Sequence, residues 1–137
     1  MSESHRGTIE VDEFVPHKAT RVWAALTDAR ELGQWFMSND FQPEVGHEFT
    51  LDTGRWGVTY CTVLEVDAPR RLRYSWRNGP LDTIVTWSLV QEGAGTRILI
   101  EHRGFDTSDP LQRQAYEGMA GGWRSMVLRS LAGYLAA

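Results

Sequence analysis

The segment from Asp109 to Leu135 constrains the fold more than any other part of the chain. Tyr116, Met119, Trp123, Met126, Val127, Leu131 and Tyr134 recur there at helical spacing, which predicts one long helix with an apolar face. Asp109-Pro110 opens it as N-cap and first-turn proline. Gly118, Gly121 and Gly122 sit near its middle. Each costs about 1 kcal/mol relative to alanine in a helix, so three predict that something approaches the backbone closely. A long helix laid across a curved sheet leaves a space beneath it, and a space lined by aromatic rings is a binding pocket.

The sheet is legible ahead of that helix. Met1–Gly7 is polar and reads as a flexible lead-in; residues 8–137 read as one domain. Alternation predicts strands over Thr8–Val15, His47–Asp52, Gly57–Val66, Arg71–Arg77, Thr83–Gln91 and Thr96–Arg103. Pro16 stops the first. Two short helices follow: Lys18–Thr27, with Val22, Trp23 and Leu26 on one face, then Ala29 to Trp35 behind an Asp28 cap. Glu92-Gly93-Ala94-Gly95 closes the clearest hairpin. The order β-α-α-β-β-β-β-β-α is an α+β fold. Leu72, Tyr74 and Trp76, then Val85, Trp87 and Leu89, then Ile98, Ile100 and His102 share one parity, so one sheet face is buried and the other wet. On the first strand Glu13 shares the parity of Ile9 and Val11, while Phe14 has the opposite one.

Composition removes several functions. At 137 residues the chain holds a substantial core. Its net charge of −4, from 14 basic and 18 acidic residues, lacks the basic footprint of nucleic-acid binding. No apolar run is long enough to span a membrane, and the N-terminus has no signal-peptide pattern. The expected location is cytoplasmic. Cys61 stands alone, which excludes an intrachain disulfide and a cysteine-based zinc cluster, and it reads as a buried strand thiol. His5, His17, His47 and His102 are scattered without metal-ligand spacing, so no metal or other cofactor is expected. There is no nucleophile elbow, and Gly93–Gly95 joins strands without the lysine of a phosphate loop.

What remains is a pocket with one titratable group. The inward parities place Phe49, Tyr60, Tyr74, Trp76, Val85, Trp87, Ile100 and His102 on the sheet wall. Tyr116, Met119 and Trp123 come from the long helix, and Trp35 from the second short helix. Three of these tyrosines need hydroxyl partners if buried, which a partly polar cavity supplies. His102 has two readings: it orients a ligand or does acid/base work, or it is a structural histidine bonded to nearby backbone. Glu13 is either its charged partner or a surface residue. No catalytic set is evident.

The runs VPHKATRVWAALTDARELGQWF, VGHEF, VLEVDAPRRLRYSW, TRILIEHRGF and GWRSMVLRSLAGYL resemble bacterial homologues of the heat-shock-protein-90 ATPase activator, within the START-like SRPBCC superfamily. The resemblance covers about Ile9 to Leu135. It implies a helix-grip fold, in which a six-stranded antiparallel sheet wraps the C-terminal helix and two short helices close one end. It also implies an internal cavity for a small apolar or aromatic ligand such as a lipid, polyketide or flavonoid-like compound. It brings no catalytic residues and, because Glu13 stands where related sequences often carry a basic residue, no anion contact there. Two alternatives accompany ligand binding: a polyketide cyclase or aromatase-like enzyme using the same cavity, and a chaperone or protein interaction module. The oligomeric state, a homodimer included, is open.

Overall fold

Period-two alternation folds the middle of the chain into a single antiparallel sheet, and everything else is placed by where that sheet hides its apolar face. The computed structural model describes residues 6–54 and 57–137. The strands are β1 (Arg6–Val15), β2 (Glu48–Asp52), β3 (Val58–Asp67), β4 (Arg71–Asn78), β5 (Leu81–Glu92) and β6 (Gly95–Asp106). Their spatial order is β1-β6-β5-β4-β3-β2. The first two strands therefore lie at opposite edges, and the chain between them crosses one end of the sheet as α1 (Ala19–Thr27) and α2 (Ala29–Trp35). The C-terminal segment is α3 (Pro110–Gly122), a π-helical turn at Trp123–Leu128, and α4 (Arg129–Ala136). This is the helix-grip architecture. Strand β1 begins at Arg6, so the expected lead-in shortens; residues 1–5 lie outside the described residues.

Local chemistry accounts for the helix ends. Asp28 Oδ1 accepts from the amides of Arg30 and Glu31 at 2.9 and 3.1 Å and caps α2. Asp109 Oδ1 accepts from the Leu111 amide at 3.1 Å, with Pro110 at the first position of α3. Lys18 gives α1 no side-chain cap. The cap comes from the sheet, where Gln91 Oε1 accepts from the Ala19 amide at 3.0 Å.

Register corrects one inward assignment. Phe49 pairs with Cys61 and Val63 with Tyr74, and residues directly opposite share a face. Buried Phe49 and Tyr74 thus draw Cys61 and Val63 inward. Tyr60, opposite Thr50 and Arg77, faces outward and is 60% exposed. The exposed apolar residues Val58, Tyr60 and Leu64 favoured the wrong parity, because this part of strand β3 carries much of its apolar bulk on its wet side. Glu13 is also exposed despite its inner parity; its Oε1 turns back to the Phe14 amide at 3.2 Å.

The helix stripe is corrected too. Trp123, Leu128, Leu131 and Leu135 are the buried positions, while Met126 is 71% exposed. The π turn explains this, since it holds about one residue more than an α turn. The step from Trp123 to the next buried side chain becomes five, and Leu128 replaces Val127 on the inner face. The glycines do not admit a close neighbour: a Cβ at Gly118, Gly121 or Gly122 would meet nothing within 4 Å. Close approach occurs instead at Gly7, where a Cβ would stand 2.7 Å from the Tyr116 ring.

Candidate functional site

The inner face of the sheet and the C-terminal segment enclose a continuous set of rings. Trp123, at the start of the π turn, is its hub. Its ring centroid lies 6.0 Å from Trp76, 5.9 Å from Trp87, 5.7 Å from His102 and 6.0 Å from Phe36. Trp35 meets Trp87 edge to face at 6.0 Å, and its indole N–H donates to the Ala25 carbonyl at 2.9 Å. Toward β2, Phe49 meets Tyr74 at 5.4 Å, and the Trp87 Nε1–H donates to the Tyr74 hydroxyl at 3.0 Å. Edge-to-face and tilted pairs of this kind are favourable beyond the area they bury.

A polar chain centred on His102 crosses this apolar interior. Trp123 Nε1–H donates to His102 Nδ1 at 3.0 Å. An indole nitrogen only donates, so Nδ1 is the acceptor and the imidazole proton sits on Nε2. That Nε2–H faces Thr83 Oγ1 at 2.7 Å, and the threonine hydroxyl donates to the Trp76 carbonyl at 2.9 Å. His102 and Thr83 are buried and every polar atom in the chain has a partner. Burial pushes the His102 pKa down to about 3, so the ring is neutral. Both of its nitrogens are engaged by groups that do not titrate near neutrality. Burial likewise raises the Tyr74 phenol, and it raises the Cys61 thiol to about 12.

The structure brings Trp35, Phe49, Tyr74, Trp76, Val85, Trp87, Ile100 and Trp123 together in one buried cluster, with buried His102 against Trp76 and Trp123. Tyr116 and Met119 are half-buried at its margin, and Tyr60 lies outside it. Among the described residues this interior is closely packed. The space lined by Leu32, Phe36, Phe49 and Tyr74 is about 10 Å³, room for at most one water. The Trp123 indole fills the centre that the helix-over-sheet geometry would have left empty. A larger depression of about 360 Å³ lies elsewhere, on the outer surface beside Ser108, Arg113 and Glu117.

Three contributors escaped the sequence reading. Thr83 shares the inner parity of Val85 and Trp87 and was discoverable from that alternation. Phe105 was hidden by a bulge: β1 and β6 slip between Gly7 and Thr8, and Gly104 adopts φ +103°, so the inner parity passes from His102 to Phe105. The Phe105 ring then packs, tilted, between His102 at 4.7 Å and Tyr116 at 5.4 Å. Phe36 follows α2, and no periodicity marks it.

A six-stranded sheet gripping a C-terminal helix, with two short helices at one end and a ring-lined interior, defines a START-like protein of the SRPBCC class. Sequence comparison agrees and is more specific. Residues 16–136 match the profile of the family described as "Activator of Hsp90 ATPase homolog 1-like protein", and the chain belongs to that family. Protein MLL2253 from Mesorhizobium loti is 34% identical, superposes with a TM-score of 0.85, and the match covers 95% of this chain and 97% of that one. CalU16 from Micromonospora echinospora is 26% identical with a TM-score of 0.77, over 94% and 76% of the two chains. An HSP90 activator from Plasmodium falciparum, PFC0360w, shares the fold at 18% identity and a TM-score of 0.79, over 94% and 96%. No curated protein matches the chain significantly. Among the described residues, no helix is long and apolar enough to cross a membrane.

Proposed function

We propose that this chain binds a small apolar or aromatic molecule, of lipid, polyketide or flavonoid-like type, between the sheet and the C-terminal segment. The observation that carries the reading is the contrast across that interface. Below lies a ring-lined interior with a polar group at its centre. Above lies α3, thirteen residues long, which buries no side chain fully. A cover held this weakly opens at low cost compared with one that anchors the core. The test is a titration of intrinsic tryptophan fluorescence with fatty acids, flavonoids and aromatic polyketides, paired with native mass spectrometry of the freshly purified protein. A saturable change with at least one class, or a copurifying small molecule, is the expected result. Silence in both measurements rejects the reading.

The filled interior favours a second reading, in which the chain acts on a protein surface. Its natural target, from the family to which the chain belongs, is a chaperone of the Hsp90 type. That reading expects stimulation of such a chaperone's ATPase rate by the purified chain, with silent ligand titrations. The cyclase-like alternative asks for an acid/base pair in the interior. His102 has its two nitrogens on Thr83 and Trp123 instead.

A further inference from the structure

The polar chain through the core says which chemistry a bound molecule must carry. We infer that Trp123 is a displaceable stand-in for the ligand: the site takes an uncharged aromatic molecule bearing a hydroxyl or N–H donor, which replaces the indole on His102 Nδ1. This rests on the ligand-binding reading above and makes it specific.

The direction of every hydrogen bond in the chain is determined. The Thr83 hydroxyl proton goes to the Trp76 carbonyl, so its oxygen accepts from His102 Nε2–H. The imidazole therefore presents Nδ1 as an acceptor toward the C-terminal segment. A phenol, an enol or an indole-type N–H satisfies it. An ionised carboxylate offers only acceptors and would lose its hydration in an apolar, ring-lined site. A hydrocarbon of the same shape leaves Nδ1 buried and unpaired, and sites built around a buried polar partner reject analogues lacking the matching group. The neutral state of the ring is consistent with this polarity.

Displacing Trp123 is mechanically feasible because of where it sits. It opens the π turn, a feature frequent at functional sites. The part C-terminal to it is anchored: Leu128, Leu131 and Leu135 are buried, and Ser130 Oγ–H donates to the Trp35 carbonyl at 2.6 Å. The part N-terminal to it contains Gly118, Gly121 and Gly122 in open surroundings and is seated through residues that are only half-buried, Ala115, Tyr116, Met119 and Ala120, with Tyr116 on Phe105. Rewinding the π turn to α geometry changes the phase by one residue, about 100°, between these two parts. That rotation carries Trp123 off the imidazole while α4 stays in place.

The test compares a naphthol with the matching methylnaphthalene and naphthoate, binding being followed by the tryptophan indole N–H resonances in NMR titrations of the full chain. The expected result is a dissociation constant for the naphthol at least tenfold below those of the other two, with the Trp123 indole N–H resonance moved and its protection lost on binding. His102→Phe should bring the naphthol and methylnaphthalene to within about threefold of each other, taking a tenfold preference as roughly one lost hydrogen bond. Trp123→Phe, which removes the competing donor while keeping a ring, should tighten the naphthol and serves if the His102 variant fails to fold. Equal affinities in the parent protein, tighter naphthoate, or naphthol binding with an undisturbed Trp123 indole overturns the inference but leaves ligand binding standing. Absence of binding by all three compounds overturns the inference, and ligand binding itself falls only if the fluorescence titrations and native mass spectrometry are silent as well.

Discussion

His102 is the residue on which the most physics converges. Its parity with Ile98 and Ile100 was readable from β6, and so was its burial. Its partners were not, because Thr83 reaches it from β5 and Trp123 from a turn twenty-one residues further on. The consequence for stability has a definite sign. The folded-state pKa of about 3 lies below the ordinary 6.5, so the unfolded chain binds this proton more readily than the folded one. The contribution is complete above pH 6.5 and is lost as pH falls through the window down to about 3. There the slope attributable to one such group is about 1.4 kcal/mol per pH unit. Protonation would also set an Nδ1–H against the Trp123 Nε1–H, two donors face to face. Urea unfolding across that range should show the slope in the parent protein and a shallower one in His102→Phe. An identical slope in both would assign acid sensitivity to the carboxylates instead.

At the scale of the element, the C-terminal segment is two helices of different character joined by a π turn. Asp109, Pro110 and the apolar spacing made the helix and its start legible. The π turn was not, because nothing in a 3.6-residue pattern announces one extra residue; only the requirement that Trp123 and Leu128 both face the sheet imposes it. The glycines take a different meaning from the one their number suggested. With no heavy atom within 4 Å of a Cβ at Gly118 or Gly121, they are a helix weakness without a packing reason. Gly118→Ala should therefore raise stability by about 0.5–1 kcal/mol, the ordinary propensity gain. Thermal melts of this single variant measure it, and a lowered midpoint would mean that the position needs glycine for a reason outside the packing described. If α3 must move for binding, the same variant should also weaken the fluorescence response while it stiffens the cover.

The whole molecule must manage the edges of an open sheet. At one edge β2 is short, and Asn39 bridges to Leu51 while the Asp52 amide donates to the Ser38 carbonyl, so the crossing loop covers part of it. At the other edge β1 runs ten residues and pairs only with β6. It carries Glu10, Asp12 and Glu13, all exposed. Charged edge residues discourage pairing with a second chain. This is a reason for Glu13 to face water although its parity points inward. Replacing Glu10, Asp12 and Glu13 together by Thr should leave the core intact and promote self-association, read as an earlier elution in size-exclusion chromatography. An unchanged elution volume would show that the edge is protected by shape alone.

Short-range physics reached far in this chain. Caps at Asp28 and Asp109, alternation in β4, β5 and β6, and the turn at Gly93 determined the element order, the α+β class and nearly all of the inward side chains, because each depends on neighbours within a few positions. Tertiary structure decided the rest. Cross-strand register turned Tyr60 outward, the Gly104 bulge brought in Phe105, and the π turn exchanged Val127 for Leu128. Above all, whether the space under the helix is a pocket or a packed core depends on one side chain. Trp123 belongs equally well to the wall of a cavity or to its filling. Only the simultaneous positions of Trp76, Trp87 and His102, drawn from three strands, put its indole in the middle.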